Sequence, residues 1–180
     1  MSIKITKDIS ISRIKKFFIE KGLECLIKKN KKKGNLYPPE LRDLYKQVLE
    51  SGMHGLCFSP YQEGQKPGDQ LTEAQIRRRI EIIQPYTKWV RSFSCTEGNE
   101  LIPKIAKEYG LKTFVGAWLG DDSEINEKEL NGLIKLSNEG YVDLAAVGNE
   151  VLYRGDLTEE ELLSFIIRAK KEINNVPVGY

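Results

Sequence analysis

Short apolar runs alternate with amphipathic helical stretches from residue 54 to residue 180, and this alternation limits the fold more than any other feature of the chain. The runs are HGLCFSPY (54–61), WVRSFSC (89–95), TFVGAWL (113–119), VDLAAVG (142–148) and VPVGY (176–180). They have the length and apolar content of strands buried on both faces. The stretches between them carry helix signals. Thr72 is placed to cap a helix, with Gln75 reaching back three residues and Leu71 clipping against Ile76, and Pro85 ends it. Residues 157–162 (LTEEEL) repeat that device. Helices over about 100–109 and 123–138 are stopped by Gly110 and Gly140. Strict alternation of strand and helix demands a parallel sheet with right-handed crossovers.

Two α/β architectures satisfy this pattern. An open, doubly wound five-stranded sheet suits a chain of 180 residues, and length alone favours it. A (β/α)8 barrel suits the spacing of the runs, roughly 24–35 residues from one strand start to the next, but typically needs about 250 residues. No GxGxxG or GxxxxGK[ST] follows the first strand, so nothing recommends a nucleotide-binding sheet.

Ahead of the alternation lies a basic segment. Residues 1–36 carry ten Lys and one Arg against Asp8, Glu20 and Glu24, a net +8, which leaves −6 for the rest of a chain of net charge +2. A loosely amphipathic helix is expected from Ile11 to Ile27, followed by a lysine-rich linker, and a second helix opens at Pro38-Pro39 and runs to Ser51-Gly52. The chain therefore reads as a basic helical leader (1–36) and an α/β domain (37–180). Without Arg or aromatic interleaving, the lysines suit a solvated linker, and no nucleic-acid partner is expected. Cys25, Cys57 and Cys95 are odd in number and lack CxxC spacing, and His54 is the sole histidine. No disulfide framework, metal site or cofactor is expected; with no signal peptide or transmembrane run, a cytoplasmic protein is.

Residues just beyond the strands of a parallel α/β fold point into a shared site. Here they are Phe58 and Tyr61, Arg91 and Phe93, Trp118 with Asp121 and Asp122, Asn149, Glu150, Tyr153 and Arg154, and finally Tyr180. Aromatic rings beside carboxylates, an amide and an arginine suit a carbohydrate cleft: ring faces cover sugar C–H surfaces, and polar groups bond the hydroxyls. Trp118 and Phe93 would serve equally well as core, and Asp121-Asp122 as a helix cap.

Residues 52–180, and in particular GMHGLCFSPYQEGQKPGDQLT, YTKWVRSFSCTEGNELIPKIAKEYGLKTFVGAWLG and GYVDLAAVGNEVLYR, resemble glycoside hydrolase family 17 in its bacterial β-1,3-glucanase-like form. The resemblance implies a (β/α)8 TIM barrel of which this chain covers about strands one to five. It also implies a retaining two-carboxylate mechanism on β-1,3-glucan. Glu150 matches the general acid/base, Asn149 the amide beside it, and Arg91 the arginine that supports the nucleophile. Phe58, Tyr61, Phe93, Trp118, Tyr153 and Tyr180 are the expected substrate contacts. The family's nucleophile follows strand seven, and no position here matches it; neither Glu63 nor Asp121 nor Asp122 takes its place. The chain is thus expected to be the N-terminal part of a longer enzyme or a truncated frame, inactive alone. Its open edges invite self-association or pairing with a complementary half-barrel. Two alternatives stay open: a β-glucan transglycosylase, and a non-catalytic carbohydrate-binding or assembly module.

Overall fold

The computed structural model describes residues 39–180, with side chains from residue 42; the leader, its expected helix and the linker lie outside the described residues. In chain order the elements are α1 (Pro39–Glu50), β1 (Met53–Cys57), α2 (Glu73–Ile83), β2 (Thr87–Ser92), α3 (Leu101–Glu108), β3 (Lys112–Ala117), α4 (Ser123–Asn138), β4 (Leu144–Val147), the one-turn α5 (Val151–Arg154), α6 (Glu159–Glu172) and β5 (Val178–Gly179). Residues from Val48 to Tyr180 form one compact unit containing all five strands. No helix among the described residues is long and apolar enough to cross a membrane.

The sheet is parallel throughout, in the order β1-β2-β3-β4-β5. A doubly wound sheet reverses its direction of winding and so places non-consecutive strands side by side. Here every strand pairs with its neighbour in sequence, which corrects the preference drawn from length and is consistent with part of a barrel. One face of the sheet is covered. Val90 packs with Ile76 and Ile80 of α2 and Ile102 and Ile105 of α3. Val115, Ala117, Ala145 and Val147 pack with Leu130 and Leu133 of α4 and Leu162 and Ala169 of α6. The opposite face carries Trp89, Arg91, Phe114 and Leu144, which line a groove of about 430 Å³.

Each strand ends earlier than its apolar run. Phe58, Cys95 and Leu119 are buried although they lie past the hydrogen-bonded ladder. Their burial comes from loops folding over the helices, so periodicity alone extends the strand too far. The caps are where the sequence puts them, with one change. The Thr72 hydroxyl accepts from Gln75 N–H, but the Gln75 side chain does not return to Thr72. It is buried and donates instead to Pro60 O at 2.7 Å and to Gln65 Oε1 at 2.6 Å, closing the β1–α2 loop. At α6 the capping box between Thr158 and Glu161 forms in both directions.

At the end of the sheet where the strands start, Asp143 accepts from Lys107 Nζ and Thr113 N–H, both at 2.7 Å. Burial works against its ionisation, but these two bonds outweigh it and hold the carboxyl below its ordinary value. A depressed carboxyl pKa contributes stability that is fully present above the unfolded value, about 3.9, and is lost as pH falls through the folded value. Thermal midpoints followed from pH 6 downward should therefore fall less steeply at the acid end in Asp143→Asn than in the wild type. Parallel acid limbs would show that the bond to Lys107 adds no pH-dependent stability.

Candidate active site at the carboxyl ends of the strands

β4 presents its polar end through a tight backbone turn. Gly148 continues the ladder by donating to Ala117 O at 2.9 Å, then turns with φ +85°. Asn149 follows, and Glu150 occupies the N-cap position of α5 at φ 56°, ψ 21°, in the left-handed region. Val151, fully buried in the α4–α6 core, pegs the start of α5 in place. A non-glycine residue with positive φ is costly, roughly 1–2 kcal/mol, and occurs where the surroundings enforce it. The Glu150 side chain is exposed, and among the described residues its carboxylate makes no hydrogen bond or ion pair. It stands open to a ligand.

Arg91 reaches this turn from β2. Its Nη2 donates to Asn149 Oδ1 at 3.1 Å, and its guanidinium lies over Phe93 at 4.7 Å and Phe114 at 4.8 Å. Two rings around a guanidinium fix its plane by cation–π attraction while leaving its edge free. Arg91 Nε is buried and has no partner among the described residues. The structure thus brings together Arg91, Phe93 and Asn149, with Glu150 next in sequence. Trp118, 40% exposed, joins through Arg154, whose guanidinium lies 4.5 Å over the indole. Arg154 also donates to Asn149 O and to Leu119 O, and pairs with Asp156 at 2.6 Å. It ties the loop after β3 to the turn after β4.

The remaining expected residues are placed differently. Tyr180 lies against the turn, its Cε2 3.4 Å from where a Gly148 Cβ would be. Tyr153 on α5 is 89% exposed and stands in solvent. Phe58 departs from the expectation: it is 8% exposed, packed into the α2–α3 core, and little of its ring is open to a ligand. Tyr61 packs partly against the same core and accepts from Asn99 Nδ2 at 3.4 Å. Asp122 caps α4 by accepting from Glu124 and Ile125 N–H, as the plainer reading of the Asp pair had it.

Two residues were invisible to motif reading. Asn126, 2% exposed, pairs both amide atoms with the main chain of Gly120 at 2.8 Å. Glu129, also 2% exposed, accepts from Ser94 Oγ (2.5 Å), Thr96 Oγ1 (2.6 Å), Cys95 N–H (2.8 Å) and Trp118 N–H (2.9 Å). Both fall on the apolar stripe of Leu130, Leu133 and Leu136 at helical spacing, and a polar residue on such a stripe is the signal that could have found them. Arg154, expected past the fourth strand, takes its role from the contacts that join the two loops. The Cys95 thiol lies in the same place, pushed well up by burial and then by the Glu129 carboxylate, and so stays protonated.

Gly132 lets α4 deliver Glu129. A Cβ there would lie 2.8 Å from Cys95 Cβ and 2.9 Å from Cys95 O. Gly132→Ala should destabilise the fold by about 1–3 kcal/mol, since overpacking against backbone exceeds the gain in helix propensity, about 1 kcal/mol. Urea unfolding checks this, and an unchanged or raised midpoint would mean that α4 can shift freely.

Residues 55–180 match the family model of the BtgE/BtgC glycoside hydrolase domain. A glucan 1,3-beta-glucosidase of Schizosaccharomyces pombe is 28% identical over 111 residues, covering 56% of this chain and 35% of its own length. One from Arthroderma benhamiae is 29% identical over 111 residues, covering 59% of this chain and 36% of its own length. One from Saccharomyces cerevisiae is 31% identical over 87 residues, 46% of this chain and 28% of its own. The chain therefore spans about a third of the length of these relatives, and the resemblance to family 17 β-1,3-glucanases holds over that part. With more than half of its length matched by the family model, the chain belongs to the BtgE/BtgC glycoside hydrolase domain family.

Proposed function

We propose that these residues form the acid/base half of a site that cleaves β-1,3-glucan with retention of configuration. The observation that carries this reading is the pairing of Arg91 with Asn149 beside the open carboxylate of Glu150, at the carboxyl ends of β2 and β4. Glu150 protonates the glycosidic oxygen and later deprotonates the attacking water. Asn149, its Oδ1 occupied by Arg91, offers its amide N–H to a sugar hydroxyl. The second carboxylate, the nucleophile, is assigned to no residue of this chain, and Arg91 Nε, without a partner among the described residues, is available to support it. The relatives' names, glucan 1,3-beta-glucosidase, support the choice of linkage.

On this reading the 180-residue chain binds β-1,3-linked gluco-oligosaccharide but does not hydrolyse it. Calorimetric titration with a β-1,3-glucohexaose and its β-1,4 counterpart should show binding of the first, weakened about tenfold or more by Asn149→Ala, in line with about 1.5 kcal/mol for a lost polar contact. Equal affinity for both linkages, or none for either, would exclude the proposal. Transglycosylation proceeds through the same covalent intermediate and differs only in the acceptor. A role in assembly draws on a separate observation: β1 and β5 are the two edges of the sheet, and unpaired edges favour association with further strands.

A further inference from the structure

We propose that Glu129 is a positioning residue for substrate, acting through Trp118: its buried carboxylate sets where the indole stands at the mouth of the site. This rests on the glucan reading given above. Three observations carry it.

The first is geometric. The ladder between β2 and β3 ends at Ser92 and Val115. Past its end Glu129 links the two main chains, with Oε2 taking N–H groups from both sides, Cys95 and Trp118. Oε1 takes two hydroxyls, Ser94 and Thr96, so four donors converge on one carboxylate that is 2% exposed. Next, α4 is brought close for this purpose, because Gly132 leaves no Cβ between the helix and Cys95. Finally, the indole of the same Trp118 is engaged at its other end by Arg154, whose guanidinium covers one ring face at 4.5 Å while the residue stays 40% exposed. A tryptophan fixed at the main chain and on one face presents its free face without further ordering, which lowers the entropic cost of stacking a sugar on it.

The arrangement depends on acceptor geometry and reach. Gln at 129 can turn its carbonyl oxygen toward the two N–H groups and its NH2 toward the hydroxyls, which then accept. Asp has the charge but falls one methylene short.

The test is made on the 180-residue protein with a β-1,3-glucohexaose as probe. Affinity is read by tryptophan fluorescence and calorimetry, and amide exchange at Trp118 and Cys95 by NMR. Glu129→Gln should keep the affinity within about threefold and keep both amides protected. Glu129→Asp should weaken binding at least tenfold and expose both amides to exchange. Combining Glu129→Asp with Trp118→Ala should weaken binding no more than Trp118→Ala does alone, a non-additivity that a general structural role would not produce. Wild-type affinity in Glu129→Asp, or additive losses, overturns the positioning role and leaves the glucan reading standing. A wild-type protein without affinity for the probe overturns both. Should Glu129→Asp fail to fold, the S94A/T96V double variant removes the hydroxyls that orient the carboxylate and should weaken binding at least threefold; unchanged affinity there also overturns the proposal.

Discussion

Glu150→Gln lowers β-1,3-glucan turnover by about a hundred- to ten-thousandfold, the usual contribution of a general acid/base, when assayed in a barrel that also carries the nucleophile. Binding of the oligosaccharide stays within a few-fold, because Gln keeps the shape and hydrogen-bonding capacity of the side chain. The effect falls on kcat, since proton transfer occurs only in the transition state. Undiminished hydrolysis by Glu150→Gln would remove the acid/base assignment. The backbone supplies an independent check. Glu150 sits at φ 56°, and no contact of its carboxylate is recorded among the described residues. Glu150→Gly relieves the left-handed strain and loses only the chain entropy of glycine, so stability should rise by roughly 0.5–1 kcal/mol while turnover is abolished. A residue kept for packing would lose stability and activity together.

Gly148→Ala has the largest expected effect on the fold itself. Its φ is +85°, and a Cβ would stand 2.7 Å from Val151 Cγ2, 3.3 Å from Leu162 Cδ1 and 3.4 Å from Tyr180 Cε2. Left-handed strain and overpacking in a close-packed core together cost about 2–4 kcal/mol. Val151 is fully buried and cannot retreat, so relief must come from the turn, carrying Asn149 away from Arg91 and Tyr180 off the strand end. Chemical denaturation should show the loss of stability, and the affinity for β-1,3-glucohexaose should fall with it. An alanine variant that loses stability but binds as the wild type would show that the turn and the site are mechanically separate.

The two predictions meet at one short stretch. Gly148 makes the turn, Asn149 is clamped by Arg91 and Arg154, and Glu150 is left outward in a conformation that its own preference opposes. Local strain at a functional position is stable only when the surroundings over-determine it, and here a buried valine, an arginine between two rings and a second arginine on Trp118 do so.

How far the sequence went is clear from particular elements. Alternation of apolar runs and capped helices was enough for five parallel strands and their helices, because burial on both faces and helix capping are local requirements written in consecutive residues. α4 appears at residues 123–138 as its signals require, and the box at Thr158 and Glu161 closes as expected. The position of Asn149 and Glu150 just past β4 was also legible, since that end of a parallel sheet is fixed by chain direction; Arg91 lies within β2, one residue before its end. Sheet order was not. Winding in one direction or two differs only in which face each helix covers, and neither length nor period encodes that face; packing of α2, α3, α4 and α6 on one side does. Nor was the burial of Phe58 or of Glu129 legible. An aromatic residue after a strand looks the same in sequence whether it lines a cleft or a core, and a glutamate on a helix looks like solvent-facing surface. Glu129 becomes an anchor only once the fold sets Cys95 and Trp118, from the ends of two different strands, against its carboxylate. Residue types and strand direction therefore determine the candidate chemistry at Val142 to Gly155. Its geometry depends on contacts 35 and 58 residues apart in the chain, which form only once the sheet has brought those strand ends together.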